Sequence, residues 1–131
     1  MPRQADGLKY EEFCRTALER VGVDSAQAAA AAKIMRLNDE LGIATHGSFH
    51  LLTYVKKMRV GSINPGAVPT VTAEGPAWAR LDAQDGLGFI ASRRAMEIAI
   101  EKAKIYGLAY VGVYRSSHFG SCAAYTLQAV E

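Results

Sequence analysis

The sequence predicts a mixed α/β protein, with an N-terminal three-helix segment followed by part of a β-α-β sheet domain. Apolar residues recur at helical spacing as far as residue 61, and short apolar runs bounded by Gly and Pro follow. An amphipathic helical stretch lies between two of these runs, which is the pattern of a β-α-β unit. We therefore divide the chain into a helical segment, residues 1–61, and an incomplete α/β domain, residues 62–131.

Apolar periodicity and a start signal indicate the first two helices. A helix is predicted over Tyr10–Val21, after a loose tail at residues 1–7, because its apolar residues are spaced for one helix face. Asp24, with Gln27 three residues later, resembles a capping box. The helix that it opens continues through an alanine-rich run to Leu41, and its small side chains would let another helix approach closely.

A third helix is predicted over His46–Val60, with Thr45 as its N-cap and Gly61 as its C-terminal stop. Basic residues alternate with apolar ones along this stretch, as on a half-buried helix. The apolar face of the predicted helix consists of Phe49, Leu52, Val55 and Met58.

Two strand candidates open the second half of the chain. They cover Thr70–Glu74 and Ala77–Asp82, and the turn residues Gly75-Pro76 between them predict a hairpin. A loop is expected over residues 82–88, since Gly and Asp are frequent there.

The last elements form the β-α-β pattern. Ile90–Tyr106 is predicted as an amphipathic helix that Gly107 ends, and Leu108–Tyr114 as a near-continuous apolar strand of the buried kind. A further helix begins at Ser121. Because its apolar pattern still runs without a cap at the end of the chain, we expect a truncated domain that continues beyond Glu131.

Composition excludes several functional classes. Half of the residues are hydrophobic and 21% are charged, as in folded proteins, and a net charge of +2 does not indicate a nucleic-acid partner. No apolar run reaches the roughly 20 residues of a bilayer crossing, and no signal peptide is evident. Cys14 and Cys122 lie far apart, which favours reduced thiols in a cytoplasmic protein.

The main candidate for chemistry is His118, in the turn Ser116-Ser117-His118-Phe119-Gly120. A buried strand that ends in a polar turn and then enters a helix is a frequent location of sites in α/β proteins. An imidazole exchanges protons near neutral pH, as carbonyl and alcohol reactions require, and Gly120 would let the backbone approach a ligand closely. The alternative is a helix-capping turn with a surface histidine.

A second candidate site combines Thr45-His46-Gly47 with His50 and Tyr54. On one continuous helix, positions 46, 50 and 54 share a face. Two imidazoles and a phenol on one stripe are unusual for a plain amphipathic helix. The alternative is that their polar tips lie in water at the edge of a packed face.

Two hypotheses from other classes remain open. His46 with His50, and His118 with Cys122, form pairs four residues apart that could surround a tetrahedral zinc ion, although spacing alone does not bring the pairs together. The other hypothesis is a non-catalytic, self-associating module. An incomplete sheet would expose strand edges and apolar helix faces, and association would cover them.

Several segments of the chain occur in the order and spacing of a known family. They are Gly42-Ile43-Ala44-Thr45-His46-Gly47, Tyr54, Gly61-Ser62-Ile63-Asn64-Pro65, Asp85-Gly86-Leu87-Gly88, Ala95-Met96-Glu97, Ala103-Lys104, Gly107 and Ser116-Ser117-His118-Phe119-Gly120. The ordered set resembles the malate/L-lactate dehydrogenase family of the second type, which includes ureidoglycolate, sulfolactate and diketogulonate oxidoreductases. The resemblance covers nearly the whole chain after Leu8.

The resemblance implies an NAD(P)-dependent oxidoreductase for small 2-hydroxy or 2-oxo acids, with a non-Rossmann nucleotide fold and His118 as general acid/base. It assigns the substrate pocket to Thr45, His50 and Tyr54. It assigns the cofactor contacts to His46, Ser117, Phe119 and Gly120. No resident metal is implied, and we expect a homo-oligomer such as a dimer.

Two residues depart from the family pattern. His50 stands where many members carry Arg, which would grip a substrate carboxylate through two parallel hydrogen bonds. His50 could bind a carboxylate only when protonated and only through single contacts. Ser117 replaces the usual Asn. Family members are also far longer, so we expect the 131 residues alone to be inactive, and the choice of acid and of NAD or NADP stays open.

Overall fold

The computed structural model describes residues 6–130. Most of the predicted loose tail, residues 1–5, lies outside the described residues. The elements follow the chain in the order α1 (Gly7–Glu19), α2 (Ser25–Glu40), two 3₁₀ turns (Ala44–His46 and Ser48–His50), α3 (Leu51–Arg59), β1 (Thr70–Gly75), β2 (Trp78–Gly86), α4 (Gly88–Tyr106), β3 (Tyr110–Ser116) and α5 (Ala123–Gln128).

A mixed three-stranded sheet follows the helices, with the strand order β1-β2-β3. β1 and β2 form an antiparallel hairpin in which Gly75 lies opposite Trp78. β2 and β3 are parallel, and α4 connects them, because parallel strands need a long crossover. Helices followed by a hairpin and a β-α-β unit confirm the predicted mixed α/β fold.

The core consists of two clusters of buried apolar side chains. Phe89 and Tyr125 belong to the larger cluster, together with residues of α1, α2 and α3. The smaller cluster lies between α4 and the sheet and is built from Ala79, Leu81, Ala83, Ala91, Ala95 and Ile98. The helical segment and the sheet part therefore share the larger cluster, and the division at residue 61 stays a prediction.

Aspartate side chains begin the first two helices. Asp6 and Asp24 each accept hydrogen bonds from two backbone amides of the following turn, which confirms the predicted start at Asp24. Because Asp6 caps α1, that helix begins earlier than expected. Gly107 ends α4 as predicted, with a left-handed φ of 84°.

The predicted third helix is wrong in its first part. Residues 44–50 form two 3₁₀ turns, and α3 begins only at Leu51, so Thr45 does not cap it. The interruption coincides with a close approach to α2. A Cβ at Gly47 would lie 2.0 Å from Asp39 Oδ1, so only glycine lets the chain pack there.

The later start of α3 changes which of its side chains face the core. Tyr54 and Met58 are buried, whereas Phe49 and Leu52, predicted on the same apolar face, are 76% and 63% exposed. The predicted stripe assumed a continuous helix, and its first residues lie in the 3₁₀ turns instead.

β2 is longer than predicted and runs to Gly86, through most of the expected loop at residues 82–88. Its pairing with β3 shifts between Asp82 and Gly86, and Gln84 and Asp85 have φ values of 54° and 58°. This irregularity at the strand end is bulge-like, and it accounts for the loop-like composition of a segment that still belongs to the sheet.

β3 differs from the buried strand that the sequence predicted. Tyr110 is 71% exposed, and Val111 and Val113 are half-buried. The reason is that, among residues 6–130, β3 pairs with β2 alone. α5 is also shorter than the helix expected from Ser121 onward, and Glu131 lies outside the described residues.

Two expectations from composition concern thiols and membranes. Cys14 is buried, Cys122 is exposed, and both are free thiols. Between residues 6 and 130, every helix is too short or too polar to cross a bilayer.

Candidate active site

His118 lies in the loop between β3 and α5, with one edge of its ring against α3. The Tyr54 hydroxyl lies 2.8 Å from His118 Nδ1, although the two residues are 64 positions apart in sequence. The backbone N–H of Gly120 donates to the same nitrogen over 3.3 Å. The Tyr54 contact orients the imidazole relative to the helical segment, and the Gly120 contact orients it within its own loop.

The other two histidines lie beside His118. Its ring centroid is 5.5 Å from that of His46 and 5.9 Å from that of His50. The chain has three histidines, so all of its imidazoles belong to one cluster. We call His46, His50, Tyr54 and His118 the histidine cluster. Its members come from the two 3₁₀ turns, α3 and the loop after β3.

Thr45 and Phe49 lie at the outer rim of this cluster. Thr45 is exposed, and its Oγ1 lies 2.9 Å from His46 Nδ1. The exposed Phe49 ring makes an edge contact with His50, at 5.3 Å between centroids. The cluster is therefore open to solvent on the side of the 3₁₀ turns.

Ser117 and Gly120 have contacts inside the protein that explain their identity. The Gly88 N–H at the start of α4 donates to Ser117 Oγ at 3.1 Å. Gly120 has a φ of 81°, and a Cβ there would lie 2.6 Å from the Phe89 ring and 3.1 Å from Asn38 Nδ2. Backbone conformation and packing therefore both require glycine at position 120.

Phe119 extends the open surface of the cluster. The centroid of its ring lies 6.3 Å from that of the His118 ring and 5.8 Å from that of the Tyr125 ring. Phe119 is 39% exposed. The buried Tyr125 donates its hydroxyl hydrogen bond to the Phe119 carbonyl. His118 and Phe119 thus present neighbouring aromatic rings to solvent.

A zinc site at these residues finds no support in the structure. Over the described range, 6–130, no three His, Cys, Asp or Glu side chains are arranged to hold a metal ion. The three imidazoles are neighbours, but His46 and His118 already share their Nδ1 atoms with hydroxyl groups of Thr45 and Tyr54.

Comparison with known proteins identifies the family. A family model described as malate/L-lactate dehydrogenase matches residues 7–131. The chain belongs to the malate/L-lactate dehydrogenase family. A malate dehydrogenase of Pyrococcus abyssi is 34% identical over 91% of this chain and 33% of its own length. A (2R)-3-sulfolactate dehydrogenase (NADP(+)) of Chromohalobacter salexigens is also 34% identical, over 95% of this chain and 37% of its own length.

The fold leads to the same family. The solved structure of malate dehydrogenase from Pyrococcus horikoshii matches with a TM-score of 0.92 and 30% identity, over 96% of this chain and 36% of that one. The chain spans about a third of the length of the curated relatives that it matches.

In this malate/L-lactate dehydrogenase segment, the pKa of His118 lies below the ordinary value of 6.5. Partial burial of the ring is the largest cause, and the positive charges of His46, His50 and Lys57 add to it. His118 is exposed as a residue, but the Nδ1 edge of its ring faces the buried Tyr54. The imidazole is therefore neutral at neutral pH.

Tyr54 stays protonated in the same environment. Its side chain is buried, and burial raises the pKa of its hydroxyl to about 12. Phe89 shields it further, since the two rings meet edge to face at 5.5 Å between centroids. The phenol can consequently donate to His118 Nδ1 or accept from it, but it does not ionise near neutral pH.

The sequence analysis missed two polar residues of α2, Asn38 and Asp39, which bind the 3₁₀ turns of the cluster on the side facing the core. Asn38 is fully buried in α2, and Asp39 Oδ2 accepts hydrogen bonds from the Ser48 backbone N–H and Oγ at 3.2 and 2.5 Å. A signal did exist. Asn38 follows Ile34 at helical spacing on the buried side of α2, and a polar side chain in an apolar stripe needs hydrogen-bond partners.

Proposed function

We propose that this chain supplies the proton-transfer part of the active site of an NAD(P)-dependent oxidoreductase for small 2-hydroxy or 2-oxo acids. His118 acts as the general acid/base. The observation that carries the proposal is the convergence of His46, His50 and Tyr54 on this one imidazole. Family membership supports the reaction class, and the names of two relatives, a malate and a sulfolactate dehydrogenase, support the substrate class.

The hydrogen bonds of His118 support a specific atom for proton exchange. Gly120 N–H can only donate, so the neutral ring accepts at Nδ1 and carries its hydrogen on Nε2. Nε2 is then the nitrogen that meets the substrate oxygen. When the ring is doubly protonated, the Tyr54 hydroxyl accepts from Nδ1–H while Nε2–H gives its proton to the carbonyl oxygen. This transfer leaves the neutral ring with its hydrogen on Nδ1, and proton exchange with solvent restores the Nε2–H form before the next turnover. The lowered pKa of His118 makes this imidazolium a stronger acid.

The roles of the other site residues follow from what their polar atoms already contact. The buried Tyr54 uses its hydroxyl on His118, which favours positioning the imidazole over direct substrate contact. Thr45 and His50 lie at the open side and line the substrate pocket. Without an Arg at position 50, the substrate carboxylate is bound by single contacts that are strongest when His50 is protonated.

The residues around His118 fit a nicotinamide on the open side of the cluster. The exposed Phe119 ring beside His118 offers a flat apolar surface to an aromatic ring, and His46 borders the same opening. Ser117 and Gly120 support this surface from inside. NAD or NADP would supply hydride exchange there, and this chain's residues bind, orient and handle the proton.

The test is reduction of a panel of 2-oxo acids with NADH or NADPH by the protein that carries this segment, compared with its His118→Ala variant. We expect kcat/KM to fall by ~10²–10⁴-fold, the usual contribution of a general acid/base. Cys122→Ala is the matched control and should retain turnover, because that thiol lies outside the cluster. Unchanged turnover in His118→Ala would remove the proposed role. Turnover by these 131 residues alone would contradict the expectation that they are inactive.

The proposed tautomer has its own test. Nitrogen NMR of the three histidines should find the His118 hydrogen on Nε2 at a pH where the ring is neutral. Tyr54→Phe should keep that tautomer, because the Gly120 contact remains. A hydrogen on Nδ1 in the unaltered chain would refute the assignment of Nε2 as the exchanging atom.

A second candidate function, self-association, is favoured by the exposed edge of the sheet. Leu108 and Tyr110 are 68% and 71% exposed at or beside β3, which pairs with β2 alone among the described strands. A second copy could cover this edge in a homodimer. Light scattering of the chain distinguishes a homodimer from a monomer. A monodisperse monomer at high concentration argues against self-association.

A further inference from the structure

Asn38 is the one fully buried polar residue in the core of the described chain, residues 6–130, apart from the nearly buried Ser48. It lies in the last turns of α2, on a side otherwise occupied by Ala31, Ile34 and Met35. A buried amide costs free energy unless its donors and acceptor are satisfied. Its hydrogen-bond partners therefore indicate why it is there.

The two ends of the Asn38 side chain bind two different parts of the histidine cluster's backbone. Its Nδ2 donates to the His46 carbonyl at 2.9 Å. Its Oδ1 accepts from Ser121 Oγ at 2.6 Å. Ser121 follows His118 by three positions, so one amide joins the 3₁₀ turn of His46 to the loop of His118.

Gly120 packs against the hydrogen bond between Asn38 and the His46 carbonyl. A Cβ at Gly120 would lie 3.1 Å from Asn38 Nδ2 and 3.3 Å from the His46 carbonyl oxygen. The loop of His118 therefore touches both Asn38 and the carbonyl that Asn38 binds, and little room is left for the two segments to move relative to each other.

We propose that Asn38 is a positioning residue that fixes the separation of the His46 and His118 rings. The amide of Asn38 supplies a donor for the His46 carbonyl and an acceptor for the Ser121 hydroxyl from one short, planar group. The significance of this for catalysis rests on the proposed function of His118. The geometric role itself does not, so the two can fail separately.

The test is NMR titration of the three imidazoles in the full 131-residue chain and in Asn38→Ala. The groups that face His118 are His46 and His50 of the 3₁₀ turns and Tyr54 and Lys57 of α3. Releasing the His118 loop should reduce its burial and its repulsion from His46. We expect its pKa to rise toward 6.5 and the nuclear Overhauser effect between the His46 and His118 rings to weaken.

A matched control separates positioning from general destabilisation. Ile34→Ala removes a buried apolar side chain one turn earlier on the same helix, and this side chain forms no hydrogen bond to either histidine segment. It should lower stability and leave the pKa of His118 and the Overhauser effect unchanged. Equal changes in Ile34→Ala and Asn38→Ala, or no change in Asn38→Ala, would overturn the proposal.

Two milder variants keep the test decisive if Asn38→Ala does not fold. Ser121→Ala removes one of the two hydrogen bonds and should shift the pKa of His118 in the same direction by a smaller amount. Asn38→Leu keeps about the same side-chain volume but can form neither hydrogen bond, so it should behave as Asn38→Ala does. Unchanged titration in both variants would also refute the role. Activity of His118→Ala tests the proposed function independently.

Discussion

The rear of the histidine cluster and the outer edge of β3 are built in opposite ways. Behind the cluster, Phe89, Asn38 and Tyr54 are buried, and each polar group among them has a hydrogen-bond partner. At β3, Tyr110 and the nearby Leu108 are mostly exposed, and one side of the strand has no partner strand among residues 6–130.

The difference shows which part of the molecule is held in place by contacts among the described residues. Contacts within the 131 residues are sufficient to fix the orientation of His118 relative to His46 and Tyr54. The outer edge of β3 has no such contacts among residues 6–130. Substitutions behind the cluster should therefore disturb both folding and the titration of His118, whereas substitutions at the edge should alter association and little else.

The largest effect is expected for Phe89→Ala. Phe89 is fully buried, packs edge to face on Tyr54 and fills the space next to Gly120. Its removal should lower the free energy of unfolding by about 3–5 kcal/mol, measured by urea denaturation. Phe49→Ala is the matched control and should be nearly neutral, because Phe49 is 76% exposed. Similar losses in both variants would mean that the rear of the cluster is not tightly packed.

Gly88→Ala comes next. A Cβ at this position would lie 2.4 Å from the Ser117 carbonyl oxygen and 2.5 Å from that of His118, and both are backbone atoms that cannot swing aside. We expect a loss of about 1–3 kcal/mol in the free energy of unfolding, the usual cost of overpacking. Gly66→Ala, where the nearest atom is an ordinary 3.7 Å away, should be tolerated. A neutral Gly88→Ala would contradict the close packing of α4 on the His118 loop.

His118→Gln should change how stability depends on pH. The pKa of His118 is lower in the folded chain than the ordinary 6.5, so the unfolded chain binds more protons once the pH falls below that value. This stability contribution is complete above pH 6.5 and is lost as the pH falls through the folded pKa. Denaturation at several pH values should find the variant less sensitive to acid than the unaltered chain. Parallel curves would mean that the ring is not shielded as described.

The smallest effect on stability is expected at the open edge. Tyr110→Ser removes an exposed ring from β3 and should change the free energy of unfolding by no more than about 0.5 kcal/mol. If the edge mediates association, the same change should shift light scattering toward monomer. Tyr106→Ser, at a half-exposed position on α4, serves as the control and should leave the association unchanged. A large loss of stability in Tyr110→Ser would show that the edge is already covered within the chain.

Local signals in the sequence correctly predicted most elements and failed where a distant contact decided the backbone. Asp24 and Gly107 marked a helix start and a helix end because capping depends on neighbouring residues alone. The helix predicted from His46 failed because Gly47 packs against Asp39, and no periodicity reports such a contact. The burial of β3 was overestimated because an apolar run does not reveal how many strands flank it.

By itself, the sequence determined the order of elements, the mixed α/β class and the family, since caps, apolar periods and ordered motifs are properties of consecutive residues. It also singled out the residues of the histidine cluster. Only the tertiary structure decided that the rings of His46 and His50 lie within 6 Å of the His118 ring, and that they are carried by two 3₁₀ turns rather than by one helix. Contacts between residues as distant as Asn38 and Ser121 fix that geometry, and such contacts form only when the chain folds.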